Sequence, residues 1–175
     1  MTEMKCRYKP ELWDFLREEL PCADVVVELG VMMGEWTRAF QEEIGAKKLF
    51  AIDIWPRHKG RFERCWRRFQ EHLEPWLFKS VFPLRGDAFE WGRDFPCAVD
   101  LLYHDACHRS FNVVRDLSVW YPRLKPGGLC LIHDAHEKGV KAGVKEFFGD
   151  AVLTKEFFGP KKIPTLWIRK QSNGA

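Results

Sequence analysis

The tripeptide His-Asp-Ala occurs twice in this chain of 175 residues, at His104–Ala106 and at His133–Ala135. Each copy closes an apolar run, and each is followed closely by another imidazole, His108 and His136. Carboxylates and imidazoles gathered in this way suit two kinds of chemistry. An imidazole titrates near neutral pH and can take up or deliver a proton. Paired carboxylates are hard oxygen ligands suited to Mg²⁺, and neighbouring imidazoles extend the tolerance to Mn²⁺ or Zn²⁺. Asp105 and Asp134 are therefore the leading candidates, with His108, His133 and His136 beside them. The competing reading is that the acids order loops and the imidazoles cap helices or stand on the surface. That reading is favoured for His104, which precedes its strand-end Asp and is expected to point into the fold.

The elements that must position these residues alternate along the chain. "DVVVELG", "KLFAIDIW", "VFPLRGD", "AVDLLYHDA" and "LCLIHD" are short apolar or β-branched runs of strand character. Between them lie segments of helical spacing: "ELWDFLREEL", ended by Pro21, "GEWTRAFQEEIG", an Arg-rich run from Gly60 to about Leu77, and "KGVKAGVKEFFG". A further helix is expected after Ser110 as its N-cap, carrying Phe111, Val114, Leu117 and Tyr121. "KPGG" reads as a turn, and "AVLTKEFFG" with "TLWIRK" as two closing strands. Continuous apolar strands alternating with helices predict a parallel sheet covered on both faces. Ligands of such sheets bind beyond the carboxyl ends of the strands, where the strand order switches. Glu28, Asp53, Asp87, Asp105 and Asp134 all fall at those ends.

The first of these ends reads "VVVELGVMMGEW", a strand, an acid, and glycines at 30 and 34 before a helix. Gly30 permits a tight turn and Gly34 a close approach of the helix start to a ligand. Met32 and Met33 stand where a dinucleotide fingerprint needs its middle glycine, so pyrophosphate binding is a weak fit. Asp53, at the tip of the second strand, offers two oxygens to the two hydroxyls of a ribose. The constellation resembles the class I S-adenosyl-L-methionine (SAM)-dependent methyltransferases over Val25 to Phe148. The resemblance implies that Glu28 and Gly30 hold the methionine part of SAM, Asp53 the ribose, and Asp87 with Ala88 the adenine. It also implies a Rossmann-like, doubly wound α/β sheet of seven strands in the order 3-2-1-4-5-7-6, with the last-inserted strand antiparallel.

The spans "VDLLYHDACHRSFNVVRDLSVW" and "LKPGGLCLIHDAHEKGVKAGVKEF" are similar to the small-molecule and sugar O-methyltransferase branch. Strand four of that branch ends in D-x-D-H and strand five in H-D-x-H. Asp105 and His108 match the first pattern; His133, Asp134 and His136 match the second. Cys107 departs from it, standing where a second Asp is usual. The resemblance implies methyl transfer to a hydroxyl oxygen of a small molecule or sugar, with a divalent cation such as Mg²⁺ on Asp105 and Asp134. His133 or His136 would be the third ligand, and His108 or His136 the general base. "HDAC" in place of an Asn/Asp-Pro-Pro-aromatic motif disfavours methylation of nucleic-acid amines. Two other classes stay open: a SAM-binding module without turnover, and a metal-dependent enzyme of other chemistry on this scaffold.

The totals bound the rest. One domain over residues 1–175 is expected, with residues 1–22 as an N-terminal helical extension. Hydrophobic residues at 46% and charged residues at 30% are ordinary for a soluble globular chain. A net charge of +3 is too small to argue for nucleic acid. The six Cys are scattered without a CxxC pair, and the N-terminus is polar without an apolar span. A reducing, cytoplasmic setting without membrane attachment follows. Eight Trp and fourteen Phe favour core packing first and a homodimer contact second. The run "WPRHKGRFERCWRRF" is a solvated helix face built on Phe62, Trp66 and Phe69, or else an RNA- or phosphate-facing surface, on the rim of the pocket where it would meet an anionic acceptor.

Overall fold

The computed structural model describes residues 10–55, 60–150, 157–158 and 165–171. Helix α1 (Pro10–Glu19) leads into β1 (Val25–Leu29), α2 (Glu35–Ile44), β2 (Lys48–Asp53), α3 (Arg61–Leu73) and β3 (Val81–Arg85). Then come α4 (Ala88–Arg93), β4 (Val99–His104), α5 (Ser110–Trp120), a 3₁₀ turn (Tyr121–Arg123), β5 (Leu124–Ile132) and α6 (Lys138–Phe148). The last strands are β6 (Phe157–Phe158) and β7 (Thr165–Arg169). All seven form one sheet in the order β3-β2-β1-β4-β5-β7-β6. The first five strands run parallel, and β7 is antiparallel to both neighbours. The fold class and strand order are those expected.

Strand side chains alternate between two cores, as a period of two requires. Val26, Leu49, Leu101, Tyr103 and Leu131 join Leu16, Phe40, Phe69 and Leu73 on the face covered by α1, α2 and α3. Val27, Leu29, Leu102, Cys130 and Ile132 join Val113, Leu117, Trp120 and Val144 on the face covered by α5 and α6. Rings fill much of this interior: Trp13, Trp36, Phe40 and Tyr103 pack together, as do Trp55, Trp66 and Phe69. At about 1.5–3 kcal/mol per fully buried large side chain, core packing accounts for most of the aromatic content.

Several expectations are corrected. The buried stripe of α5 is Val113, Leu117 and Trp120; Phe111 is 72% exposed, because the first turn of α5 lies at the sheet's carboxyl rim. Helix α3 stops at Leu73, two residues before Pro75, whose ring cannot continue a helix, and buries Cys65, Phe69 and Leu73. The "KPGG" segment lies inside β5, where a register shift opposite Val99–Leu101 absorbs it. Helix α4 follows Asp87 where no element is expected, its six residues being too few to show a helical period. Of the expected strand "AVLTKEFFG" only Phe157–Phe158 lies within the described residues.

Pairing register sets the level of the site. Leu29 lies opposite both Ile52 and His104, and His104 opposite Ile132. The ladder runs one step further, through Gly30 N–H to Ile52 C=O, Asp105 N–H to Leu29 C=O and His133 N–H to His104 C=O. Gly30, Asp105 and His133 therefore emerge side by side at one edge.

Candidate functional site

The Gly30–Gly34 loop is held by backbone constraints on both sides. Gly30 has φ +83°, and a Cβ there would fall 2.1 Å from the Asp105 carbonyl oxygen. Only glycine lets β1 end this close to the tip of β4. Asp53 Oδ2 accepts from the amides of Val31 and Met32, both at 2.9 Å, and Oδ1 accepts from the Trp55 amide at 2.9 Å. The Trp55 indole donates to the Met32 carbonyl at 2.8 Å. Asp53 is thus at the expected place and pins the loop, leaving Oδ1 with its remaining acceptor capacity. Gly34 corrects an expectation: a Cβ there would meet Leu73 and Phe69 at 2.7 Å, so its smallness admits α3 instead of a ligand.

Glu28 is 1% exposed; Oε2 accepts from the Thr37 hydroxyl at 2.6 Å, and Oε1 is buried without a hydrogen-bond partner. Burial first, then the nearby charges of Asp105 and Asp53, push its carboxyl well above the ordinary range, against the Thr37 hydrogen bond. Such a group favours its protonated form unless a cation arrives. Between the unfolded and the raised folded pKa the folded chain holds a proton that the unfolded chain has released. Stability is then greatest below the unfolded value and is lost as pH rises through the folded one. Glu28→Gln should raise the melting temperature of the ligand-free protein at pH 8, by roughly 2–8 °C for about 1–2 kcal/mol. The gain should shrink below pH 5. Thermal melts across pH check this, and a Glu28→Gln protein that melts below the wild type at pH 8 would refute it.

Asp87 has a structural duty as well as its expected position. It caps α4 through the amides of Phe89 and Glu90 and takes Arg115 on both oxygens, at 2.6 and 2.7 Å. Burial raises its carboxyl, but the Arg115 guanidinium outweighs that and holds it below the ordinary range. Arg115 also lies over the Phe89 ring, 4.8 Å from its centre. Ala88 begins α4, with its carbonyl accepting from the Trp120 indole.

The two His-Asp elements meet. His108 Nε2 lies 3.5 Å from Asp105 Oδ1 and 3.7 Å from Asp134 Oδ2. His133 Nδ1 lies 3.2 Å from Asp105 Oδ1 and 3.6 Å from Asp134 Oδ2. The alignment at 3.2 Å does not make a hydrogen bond, so His133 Nδ1 is buried without a partner. Ligand atoms of Asp105, His108 and Asp134 fall within 4.8 Å of one another, close enough to hold one cation. Burial raises the Asp105 carboxyl, but His108 and His133 overcome it and bring it below the ordinary range. Pairing with Asp105 raises the His108 imidazole. For His133, burial lowers the imidazole, and Asp105 with Asp134 outweighs it in the upward direction. Asp134 sits at φ +51°, the left-handed conformation that Asp tolerates better than most residues.

His136 is exposed and makes no ion pair with this cluster. Cys107 is exposed, and His108 occupies the cluster in its stead. His104 points inward as expected, 3.4 Å from Asp116 and 1% exposed.

Sequence reasoning missed the residues that clamp this cluster. A Cβ at Gly139 would lie 2.0 Å from the His108 carbonyl oxygen, and one at Gly143 would meet Val113 and Ser110 at 2.7–2.8 Å. The four-residue spacing of the two glycines, one turn of helix apart, was the available signal. Trp36 forms a wall, with its ring 5.7 Å from His133 and 4.6 Å from Tyr103. A separate hollow of about 620 Å³ includes Arg93, Cys97, Arg123 and Lys125 in its lining, at the opposite end of the sheet. Arg123 is spent on the carbonyls of Gly92, Arg93 and Phe95, and Lys125 pairs with Asp100, so the main cations of that hollow are occupied. No helix among the described residues is long and apolar enough to cross a membrane.

The chain is similar to known proteins at two levels. It is 28% identical over 137 residues to the protein y4gI of Sinorhizobium fredii, covering 71% of this chain and 14% of that protein. It thus spans about a seventh of the length of that relative. Among solved structures, the rRNA methylase of Streptococcus thermophilus superposes with a TM-score of 0.69 at 17% identity, covering 93% of this chain and 95% of that one. CalS11, a TDP-rhamnose 3'-O-methyltransferase of calicheamicin biosynthesis, gives 0.63 at 15% identity, covering 89% of this chain and 77% of that one. These likenesses show the fold. The family is shown by the sequence itself: residues 27–135, from the middle of β1 to the tip of β5, match the family described as "Methyltransferase domain", and the chain belongs to that family, on the class I SAM-dependent methyltransferase fold.

Proposed function

We propose that this chain transfers the methyl group of SAM to a hydroxyl oxygen of a small molecule or sugar, with a divalent cation held by Asp105, His108 and Asp134. The observation that carries the reading is the convergence of these three side chains within 4.8 Å, beside the Gly30 loop. Two carboxylates and an imidazole fit a cation such as Mg²⁺ or Mn²⁺ in their donor set. When bound, such an ion lowers the pKa of the acceptor hydroxyl and fixes its direction.

The chain's own residues supply the rest. SAM is a sulfonium cation with an α-ammonium group, and the buried oxygen of Glu28 that lacks a partner suits that positive end. Asp53 holds the loop and offers its spare Oδ1 capacity to the ribose. Asp87 orients α4 so that the Ala88 end of the helix meets the adenine. In the transfer the acceptor oxygen forms a bond to the methyl carbon while the carbon–sulfur bond breaks. Its electron pair stays on sulfur, which becomes a neutral thioether. The hydroxyl proton goes to the His133 imidazole, which Asp105 and Asp134 beside it make more basic. His108 thus takes the third ligand place, His133 the base, and His136 neither duty. An acceptor held at the edge between β4 and β5 reacts in line because its approach is fixed before the step.

The test is methyl transfer from labelled SAM to a panel of hydroxyl acceptors, with and without chelator. Chelation should reduce turnover by about 10²-fold or more, and added Mg²⁺ or Mn²⁺ should restore it. Unchanged turnover in chelator removes the cation from the mechanism. SAM binding without turnover on any acceptor would instead support a binding module, and absence of SAM binding would sink the cofactor assignment.

A further inference from the structure

The described arginine side chains divide sharply. Arg17, Arg38, Arg93, Arg115 and Arg169 pair with carboxylates, and Arg85 and Arg123 donate to backbone carbonyls. Arg64, Arg67, Arg68 and Arg109 are exposed and take no such partner, although Glu63 and Glu71 share their helix with the first three. The segments that carry these four leave the carboxyl edge where the site lies, α3 after β2 and Arg109 after β4. Arg109 directly follows His108. Arg64 and Arg68 lie on one ridge of α3, which its four-residue spacing continues to His72. His72 Nδ1 meets the Met33 carbonyl at 2.9 Å, so this ridge borders the Gly30–Gly34 loop. Gly34 packs against Phe69 and Leu73, and the chain enters α3 from the carboxyl end of β2. The turns carrying Arg64 and Arg68 therefore stand at and above the rim of the site.

We propose, resting on the methyl-transfer reading, that the acceptor bears a phosphate or diphosphate, held by Arg64 and Arg68 on one flank and Arg109 on the other. A guanidinium meets a phosphate through two parallel hydrogen bonds, which fixes direction as well as position. At the centre, Asp53, Asp105 and Asp134 stand at the strand ends, where the methyl-transfer reading sets a cation and the sulfonium of SAM against them. A phosphate held by the rim guanidiniums leaves a hydroxyl at the other end of the same molecule to enter that centre. Anchoring at the rim thus orients the acceptor with its oxygen toward the methyl group. A long nucleic acid fits less well. Trp66, the ring among these arginines, is packed 4.9 Å from Trp55 and 5.6 Å from Phe69 and offers no free stacking platform. Glu63 and Glu71 on α3, and Glu74 directly after it, also interrupt the basic surface.

The probes are inorganic pyrophosphate, uridine diphosphate, neutral glucose and a short single-stranded RNA. Each is titrated by calorimetry into the full chain loaded with S-adenosylhomocysteine, at about 0.15 M salt, where exposed charges are well screened. Uridine diphosphate and pyrophosphate should bind saturably and glucose should not. Arg64→Ala, Arg68→Ala and Arg109→Ala should each weaken uridine diphosphate about three- to tenfold. Arg17→Ala, which removes a cation tied to Asp14 and Glu43, should leave binding unchanged. The proposal is overturned by no saturable binding of either phosphate probe, by an equal loss in Arg17→Ala, or by RNA binding more tightly through the same arginines. Binding of S-adenosylhomocysteine, measured in the same cell, separates the two readings. If it persists without phosphate binding, only this proposal fails; if it is absent, the methyl-transfer reading fails as well.

Discussion

Asp105→Asn is expected to lower kcat/KM for methyl transfer by about 10²- to 10³-fold while SAM affinity changes less than about fivefold. The substitution keeps size and shape and removes a charge that three features depend on. The carboxylate lies 3.5 Å from His108 Nε2 and 3.2 Å from His133 Nδ1, and it is one of the three groups that converge as cation ligands. His108 and His133 both have raised imidazoles in part because of Asp105, so the neutral amide lowers the basicity of each. Backbone atoms of residue 105 bond Leu29 and crowd Gly30, and those contacts survive the change. The melting temperature should accordingly stay within a few degrees of the wild type. Steady-state kinetics with calorimetric SAM binding provide the measurement. A kcat/KM within threefold of the wild type would remove Asp105 from the chemistry. His136→Ala, at an exposed position outside the cluster, serves as the comparison and should change kcat/KM less than threefold.

Gly30→Ala should have the largest effect on stability of any single methyl group added at the site. The residue has φ +83°, where an L side chain costs about 1–2 kcal/mol. The new Cβ would also lie 2.1 Å from the Asp105 carbonyl oxygen and 2.5 Å from its carbon. Those are backbone atoms of the β4 tip, so relief requires moving the strand end, at about a further 1–3 kcal/mol. A total of about 2–5 kcal/mol lowers the melting temperature by roughly 4–20 °C in a domain of this size. It also separates the Gly30 loop from Asp105, so SAM affinity should fall together with stability. Gly149→Ala is the comparison at a similar φ, +82°, where nothing among the described residues lies within 4 Å of the Cβ position. Equal melting temperatures for the two variants would show that the close approach at Gly30 is relaxed in solution.

The fold was legible because its signals are local and repeated. Continuous apolar strands such as "DVVVELG" and "LCLIHD" can be buried on both faces only in a covered parallel sheet. Where the reading failed, the competing forces were not local. Phe111 continues a helical stripe in sequence, yet the helix rotates to bury Val113 and Trp120, because α5 must meet β4, α4 and the glycines of α6. Asp87 has the same appearance whether it receives adenine or Arg115, and Arg115 lies 28 residues away. Gly34 reads as an opening for a ligand and proves to be the seat of Phe69 and Leu73.

The sequence by itself determined which residues stand at the strand ends. Strand length and hydropathy place Glu28, Asp53, Asp105 and Asp134 at the carboxyl edge without any knowledge of packing. Only the tertiary structure decided how they are used. Whether a carboxylate is free, capped or paired depends on side chains brought in by other elements: Thr37 for Glu28, the loop amides for Asp53, Arg115 for Asp87. The choice of His108 over His136 for the cluster rests on Gly139, whose missing side chain lets α6 press on the β4–α5 loop. Those contacts span about thirty residues of sequence and a few ångströms of space, and no pattern within either His-Asp segment encodes them.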